Sequence, residues 1–81
     1  MSGYHLNKIS KGIYGEASKI QEELDELNDA LKQDNKILAL VELSDIYGAL
    51  EAVAEKYNIT MDDLKKMSDA TKRAFNKGIR K

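Results

Sequence analysis

The chain has 81 residues, with thirteen Lys and Arg, fourteen Asp and Glu and one His, for a formal net charge of -1; this near balance does not argue for a nucleic-acid or membrane partner, and none is expected. It has no Cys, which removes disulfides, thiol nucleophiles and cysteine-ligated zinc or iron, so any metal is expected on oxygen ligands. With one Phe and no Trp, a chain that buries only roughly 60 to 65% of its unfolded surface has little private core, and assembly into at least a dimer is the expected remedy.

No stretch approaches the roughly 18 consecutive apolar residues of a membrane span, and Met-Ser-Gly-Tyr-His is not a charged head followed by an apolar run. The expectation is a soluble, cytoplasmic protein. Without proline, linker or repeat, the chain reads as one domain over 1–81. Its parts are an N-terminal arm over 1–15, a helical core over 16–77 and a tail over 78–81.

The arm, with His5, Lys8 and Lys11, has no clear period and is expected to be extended or a short helix. His5, alone near the terminus, reads as a surface histidine. From about Glu16 to Lys32, Ile20, Leu24, Leu27 and Leu31 recur at helical spacing. Glu16 reads as a favourable charge in a first helical turn. Gln33-Asp34-Asn35 then breaks the pattern with turn-forming residues.

A second helix is expected over Lys36 to Tyr57. It is apolar nearly all round, so it is expected to be buried on several sides, partly against another subunit. Tyr47 and Tyr57 read as core or interface. Thr60 followed by Asp63 resembles a capping box that starts a third helix, whose stripe is Met61, Leu64, Met67, Thr71, Ala74 and Phe75, with Gly78 as its stop. The fold class is therefore all-α: an antiparallel bundle of about three main helices per chain, completed by oligomerisation.

Charge is unevenly spread. Glu22, Glu23, Asp25, Glu26 and Asp29 crowd the first helix, while Lys72, Arg73, Lys77, Arg80 and Lys81 end the chain with no acid among them. Taken alone, the acids of the first helix read as a solvated face, and the C-terminal lysines as solubilising. Glu42 and Asp45 read differently, because they sit in the apolar helix. Burying unpaired carboxylates costs several kcal/mol each, and the only other charge between Ile37 and Ala54 is Glu51.

A divalent cation supplies the missing compensation. Glu23 with Glu26, and Glu42 with Asp45, each stand three apart on consecutive helices expected to pack antiparallel. Four carboxylates make a hard oxygen site suited to Mg²⁺, with Mn²⁺ as an alternative, and Mg²⁺ held this way recruits phosphates. The basic third helix, with Lys66, Arg73 and Lys77 on one side, is placed to neutralise them.

Glu-Glu-Leu-Asp-Glu over 22–26, then Glu-Leu-Ser-Asp over 42–45 after fifteen intervening residues, resembles the E-E-x-x-E and E-x-x-D signature of MazG-type nucleotide pyrophosphohydrolases. Either half alone is weak; the pair on consecutive helices is fairly specific. The resemblance runs from Lys11-Gly12-Ile13-Tyr14-Gly15-Glu16 through Ile59-Thr60-Met61-Asp62-Asp63-Leu64 to Thr71-Lys72-Arg73-Ala74-Phe75, and the length is similar to short phage or bacterial members.

The resemblance implies an all-α NTP pyrophosphatase-like fold, a homodimer or homotetramer, and Mg²⁺-dependent hydrolysis of a (deoxy)nucleoside triphosphate to the monophosphate and pyrophosphate. Glu23, Glu26, Glu42 and Asp45 match the family's metal ligands. Glu22 matches its remaining acid, a residue that supports the metal ligands from behind or acts as general base. Lys66 and Arg73 are expected on the phosphates and Tyr14 on the nucleobase. One departure stands out: many members carry an asparagine where this chain has Ala70, a position that bears on the phosphate contacts and the substrate. A phosphoribosyl-ATP pyrophosphohydrolase-like activity would use the same metal chemistry, and a non-catalytic helical assembly module is the rival from another class.

Overall fold

The computed structural model describes residues 5–78; the first four residues and 79–81 of the expected tail lie outside the described residues. Three helices follow the arm: α1 (Ala17–Lys32), α2 (Lys36–Lys56) and α3 (Met61–Asn76). No strand occurs among the described residues, so the fold is all-α as expected, with helix bounds within a residue of those read from the periodicity.

The punctuation is local chemistry. Asp34 takes a positive φ of 54°, and Asn35 accepts the Leu38 N–H at 3.0 Å, capping α2. Asn58, at φ 57°, makes the second reversal. Thr60 then accepts the Asp63 N–H at 3.1 Å while Asp63 accepts the Thr60 N–H at 3.3 Å, the reciprocal pair of a capping box. Gly78 ends α3 at φ 74°, where a side chain would be strained.

The three-residue turn folds α2 back antiparallel on α1. Ile20, near the start of α1, accordingly shares a pocket with Val53, Ala54 and Tyr57 near the end of α2. The buried apolar side chains among the described residues are all small: Ala30, Ala39, Ala49, Ala52 and Ala54. Alanine lets the two backbones approach closely but supplies little apolar area.

Larger side chains face outward. Leu40, Leu43, Tyr47 and Leu50 fall within about 80° of arc on α2 at 100° per residue, and all four are exposed, although Tyr47 and Leu50 line a pocket with Met61 and Leu64 of α3. No residue of α3 is buried. The radius of gyration, 14.8 Å, exceeds the roughly 11 to 12 Å of a compact domain this size. Within one chain, α2 is therefore covered on fewer sides than its composition predicts.

The arm is not helical, with a turn at Tyr14-Gly15, and is tied to α1 by the N–H groups of Leu6 and Asn7, of Gly12 and of Ile13, the last accepted by Ser18 Oγ at 3.0 Å. Asp29 accepts the N–H groups of Leu6 and Asn7 at 2.9 Å, and Glu22 accepts that of Gly12 at 2.7 Å. The Glu22 tie needs glycine, because a Cβ at Gly12 would overlap the Ser18 carbonyl and the Lys19 nitrogen.

Candidate metal centre

At 100° per residue, Lys19, Glu22, Glu23, Glu26 and Asp29 share an arc of about 120° on α1. That arc is turned towards the arm and α2, while the Ile20-Leu24-Leu27-Leu31 stripe is only half-covered, Ile20 beside α2 and Leu27 half-buried. Glu22, Glu23 and Asp29 are buried, while Leu24 and Leu31 are exposed. Reading the first-helix acids alone as a solvated face is thus corrected for Glu22, Glu23 and Asp29, which folding encloses, while Asp25 and Glu26 are half-buried. Across the seam, α2 presents Glu42, which is 4% exposed, and Asp45, which is exposed at the rim.

One oxygen from each of Glu23, Glu26, Glu42 and Asp45 can be chosen so that all lie within 4.8 Å of one another. The four expected ligands therefore converge, at the wall of a cavity of about 760 Å³ that Lys19 and Glu22 also line. Glu23 Oε2 is buried with no hydrogen-bond partner.

Electrostatics follow from this crowding. Burial first, then the charge of Glu26, pushes the Glu23 carboxyl up to about 7, with Asp45 adding and Lys19 opposing. Burial, Glu26, Asp45 and Glu23 together push Glu42 up to about 7. Carboxylates whose charged forms are this unfavourable, one with an unpartnered oxygen, require a proton or a cation. The all-oxygen donor set fits a hard divalent ion such as Mg²⁺.

Glu22 sits apart from this quartet. Its Oε1 accepts from Gly12 and from Lys19 Nζ at 3.1 Å, and Lys11 stands 4.0 Å from Oε2. Burial would raise its pKa, but these three donors outweigh burial and hold it below the ordinary carboxylate range. Lys19 also lies 3.4 Å from Glu23. Burial works against its charge, yet Glu22 and Glu23 outweigh that and hold its ammonium above the usual lysine range.

His5 corrects the sequence expectation of a surface histidine. Its side chain is 8% exposed, with Nε2 3.5 Å from Glu26 and 3.8 Å from Glu42, and Nδ1 3.9 Å from Asp29. Its position in the sequence gave no sign of this, because the tether that carries it inward, Asp29 to the Leu6 and Asn7 amides, is a side chain binding backbone. Lys19 likewise carries no distinguishing signal in the sequence. A lysine four residues before Glu23 reads as an ordinary surface helix pair.

The proposed substrate contacts are not gathered at the cavity. Tyr14 and Arg73 are exposed, and Lys66 lies 3.6 Å from Asp62 on its own helix. None of the three lines the carboxylate cavity in a single chain. No helix among the described residues is long and apolar enough to cross a membrane. No family model, curated protein or solved structure matches the chain.

Proposed function

We propose that this chain is a Mg²⁺-dependent nucleotide pyrophosphohydrolase that cleaves a (deoxy)nucleoside triphosphate to the monophosphate and pyrophosphate. The observation that carries the reading is the convergence of Glu23, Glu26, Glu42 and Asp45 from two antiparallel helices within 4.8 Å. That constellation agrees with what the MazG-like motifs lead one to expect. Two of the four have charged forms that are hard to sustain without a cation.

These four residues would hold the metal. When bound, Mg²⁺ supplies charge neutralisation for the triphosphate and activation of water. Water adds its oxygen to the α-phosphorus, the bond from that phosphorus to the bridging oxygen breaks, and pyrophosphate leaves. Lys19, held charged at the cavity wall, is the cation closest to hand for the phosphates. Glu22 is a weak base in its present contacts, and its work in this reading is to hold Lys19 and the arm at Gly12 in place. Lys66, Arg73 and Tyr14 reach a nucleotide here only across an assembly.

A homodimer or homotetramer belongs to the same reading. The Leu40-Leu43-Tyr47-Leu50 stripe is exposed and lies opposite the carboxylate face, so a second copy can cover it and leave the cavity open. The same stripe favours the rival reading, a non-catalytic assembly module. A panel of ribo- and deoxyribonucleoside triphosphates in ¹⁸O-labelled water separates them. The hydrolase reading expects pyrophosphate release with the label in the monophosphate. Release of inorganic phosphate instead, or of nothing from any nucleotide, would overturn it.

A further inference from the structure

We propose that His5, Glu26 and Glu42 form a mixed nitrogen and oxygen site for a divalent transition ion such as Mn²⁺ or Zn²⁺, sharing two carboxylates with the all-oxygen site. The proposal rests on the carboxylates being a metal centre but not on the nucleotide chemistry. One atom from each of the three residues falls within 4.8 Å of the others. Two observations lift it above an acidic cluster. The His5 side chain is more than nine-tenths buried with Nε2 aimed at the carboxylates, and its Nδ1 is buried without a hydrogen-bond partner.

The geometry is close to a coordination shell. Ligands about 2.0 Å from a tetrahedral ion stand about 3.3 Å apart, and Nε2 is 3.5 Å from Glu26 Oε1 and 3.8 Å from Glu42 Oε2. A contraction of a few tenths of an ångström brings these two sides to that spacing, and the third side, between the carboxylates, lies within 4.8 Å. Asp29, 3.9 Å from Nδ1 on the other side of the ring, is where a carboxylate that orients a metal-binding imidazole belongs.

The imidazole is not on a loose end. Leu6 and Asn7, the next two residues, are fixed by Asp29, and Gly12 is fixed by Glu22. A bound ion therefore finds the ring already in place. Mg²⁺ prefers oxygen alone and draws little from it, whereas Mn²⁺ and Zn²⁺ gain a ligand they favour. The arm thus sets metal preference and couples metal loading to its own order. The buried His5 thus adds a nitrogen to the oxygen ligands that the sequence alone leads one to expect.

His5 is the chain's single histidine, so an untagged preparation gives an unambiguous test. Pulsed electron paramagnetic resonance of the Mn²⁺-loaded protein is expected to show coupling to one imidazole nitrogen, a readout independent of activity and of any variant. Calorimetric titration of His5→Ala is expected to show Zn²⁺ and Mn²⁺ affinity reduced on the order of 10- to 100-fold, with Mg²⁺ affinity within about twofold of wild type. Absence of nitrogen coupling, or equal affinities for Zn²⁺ and Mn²⁺ in the two proteins, would overturn the proposal. The all-oxygen site would still stand if Mg²⁺ bound both. Failure of wild type to bind any of the three ions would overturn both.

Discussion

Asp29 accepts the Leu6 N–H through both carboxylate oxygens, each at 2.9 Å, across 23 residues of sequence. This one relationship decides where the arm runs, and so whether His5 sits in solvent or against Glu26 and Glu42. It also determines the state of Asp29 itself. The Leu6 amide, with Gln33 and Asn7, holds the carboxyl below its ordinary range despite opposing burial.

Asp29→Ala is expected to release the arm without unfolding the helices. Hydrogen exchange should quicken on the order of tenfold or more at the Leu6 and Asn7 amides, as expected when a charge-assisted bond is lost. Helix signals should persist in circular dichroism. Unchanged exchange at Leu6 would show that other contacts hold the arm.

At Gly12, any side chain meets the backbone of Ser18 and Lys19. Gly12→Ala should lower stability by roughly 1 to 3 kcal/mol, the usual cost of overpacking, and disturb the Glu22 contact. Urea unfolding measures it; a change within experimental error would mean that the turn shifts freely.

Metal-free stability should fall as pH rises from about 4.5 to about 7. Glu23 and Glu42 have folded-state values pushed up to about 7 against an ordinary 4.5. Folding therefore favours their protonated forms, a contribution fully present below the ordinary value and lost as pH rises through the folded value. Glu22, Asp29 and Asp69, all lowered, act the other way, but below their own ordinary values. Urea unfolding in chelator at about pH 5 and about pH 7.5 checks the sign, and millimolar Mg²⁺ should restore most of the loss at the higher pH. Metal-free protein that is more stable at the higher pH would contradict the crowding of these carboxylates.

The assembly prediction concerns Leu43 and Tyr47, exposed one turn apart on α2. Sedimentation equilibrium should show a dimer or tetramer for wild type. Leu43→Lys with Tyr47→Lys should shift it towards monomer while leaving the carboxylate face intact. A wild-type monomer at micromolar concentration would require another partner for the stripe.

Helix order and ends were legible in the sequence because capping and turn residues act locally: Asn35, Thr60 with Asp63, and Gly78 stand where their chemistry predicted. Glu42 was legible too, since a charge amid Leu40, Val41 and Leu43 contradicts its surroundings. The enclosure of Glu22, Glu23 and Asp29 was not, because acids spaced along a helix look alike whether water or an arm covers them. Nor was the exposure of Leu24, Leu31, Leu40 and Leu43. Apolar periodicity identifies a face that requires cover, without saying whether the same chain supplies it.

The most direct measurement is pyrophosphate release by wild type and Glu42→Gln, each with Mg²⁺ and with chelator. Glu42→Gln should raise metal-free stability on the order of 1 kcal/mol by removing a disfavoured charge, so lost activity cannot be put down to unfolding. The expected result is release by wild type only with Mg²⁺, and a fall on the order of 100-fold or more in the folded variant. Release that survives chelation, or that Glu42→Gln leaves unchanged, would contradict the assignment of these carboxylates as the metal centre of a nucleotide pyrophosphohydrolase.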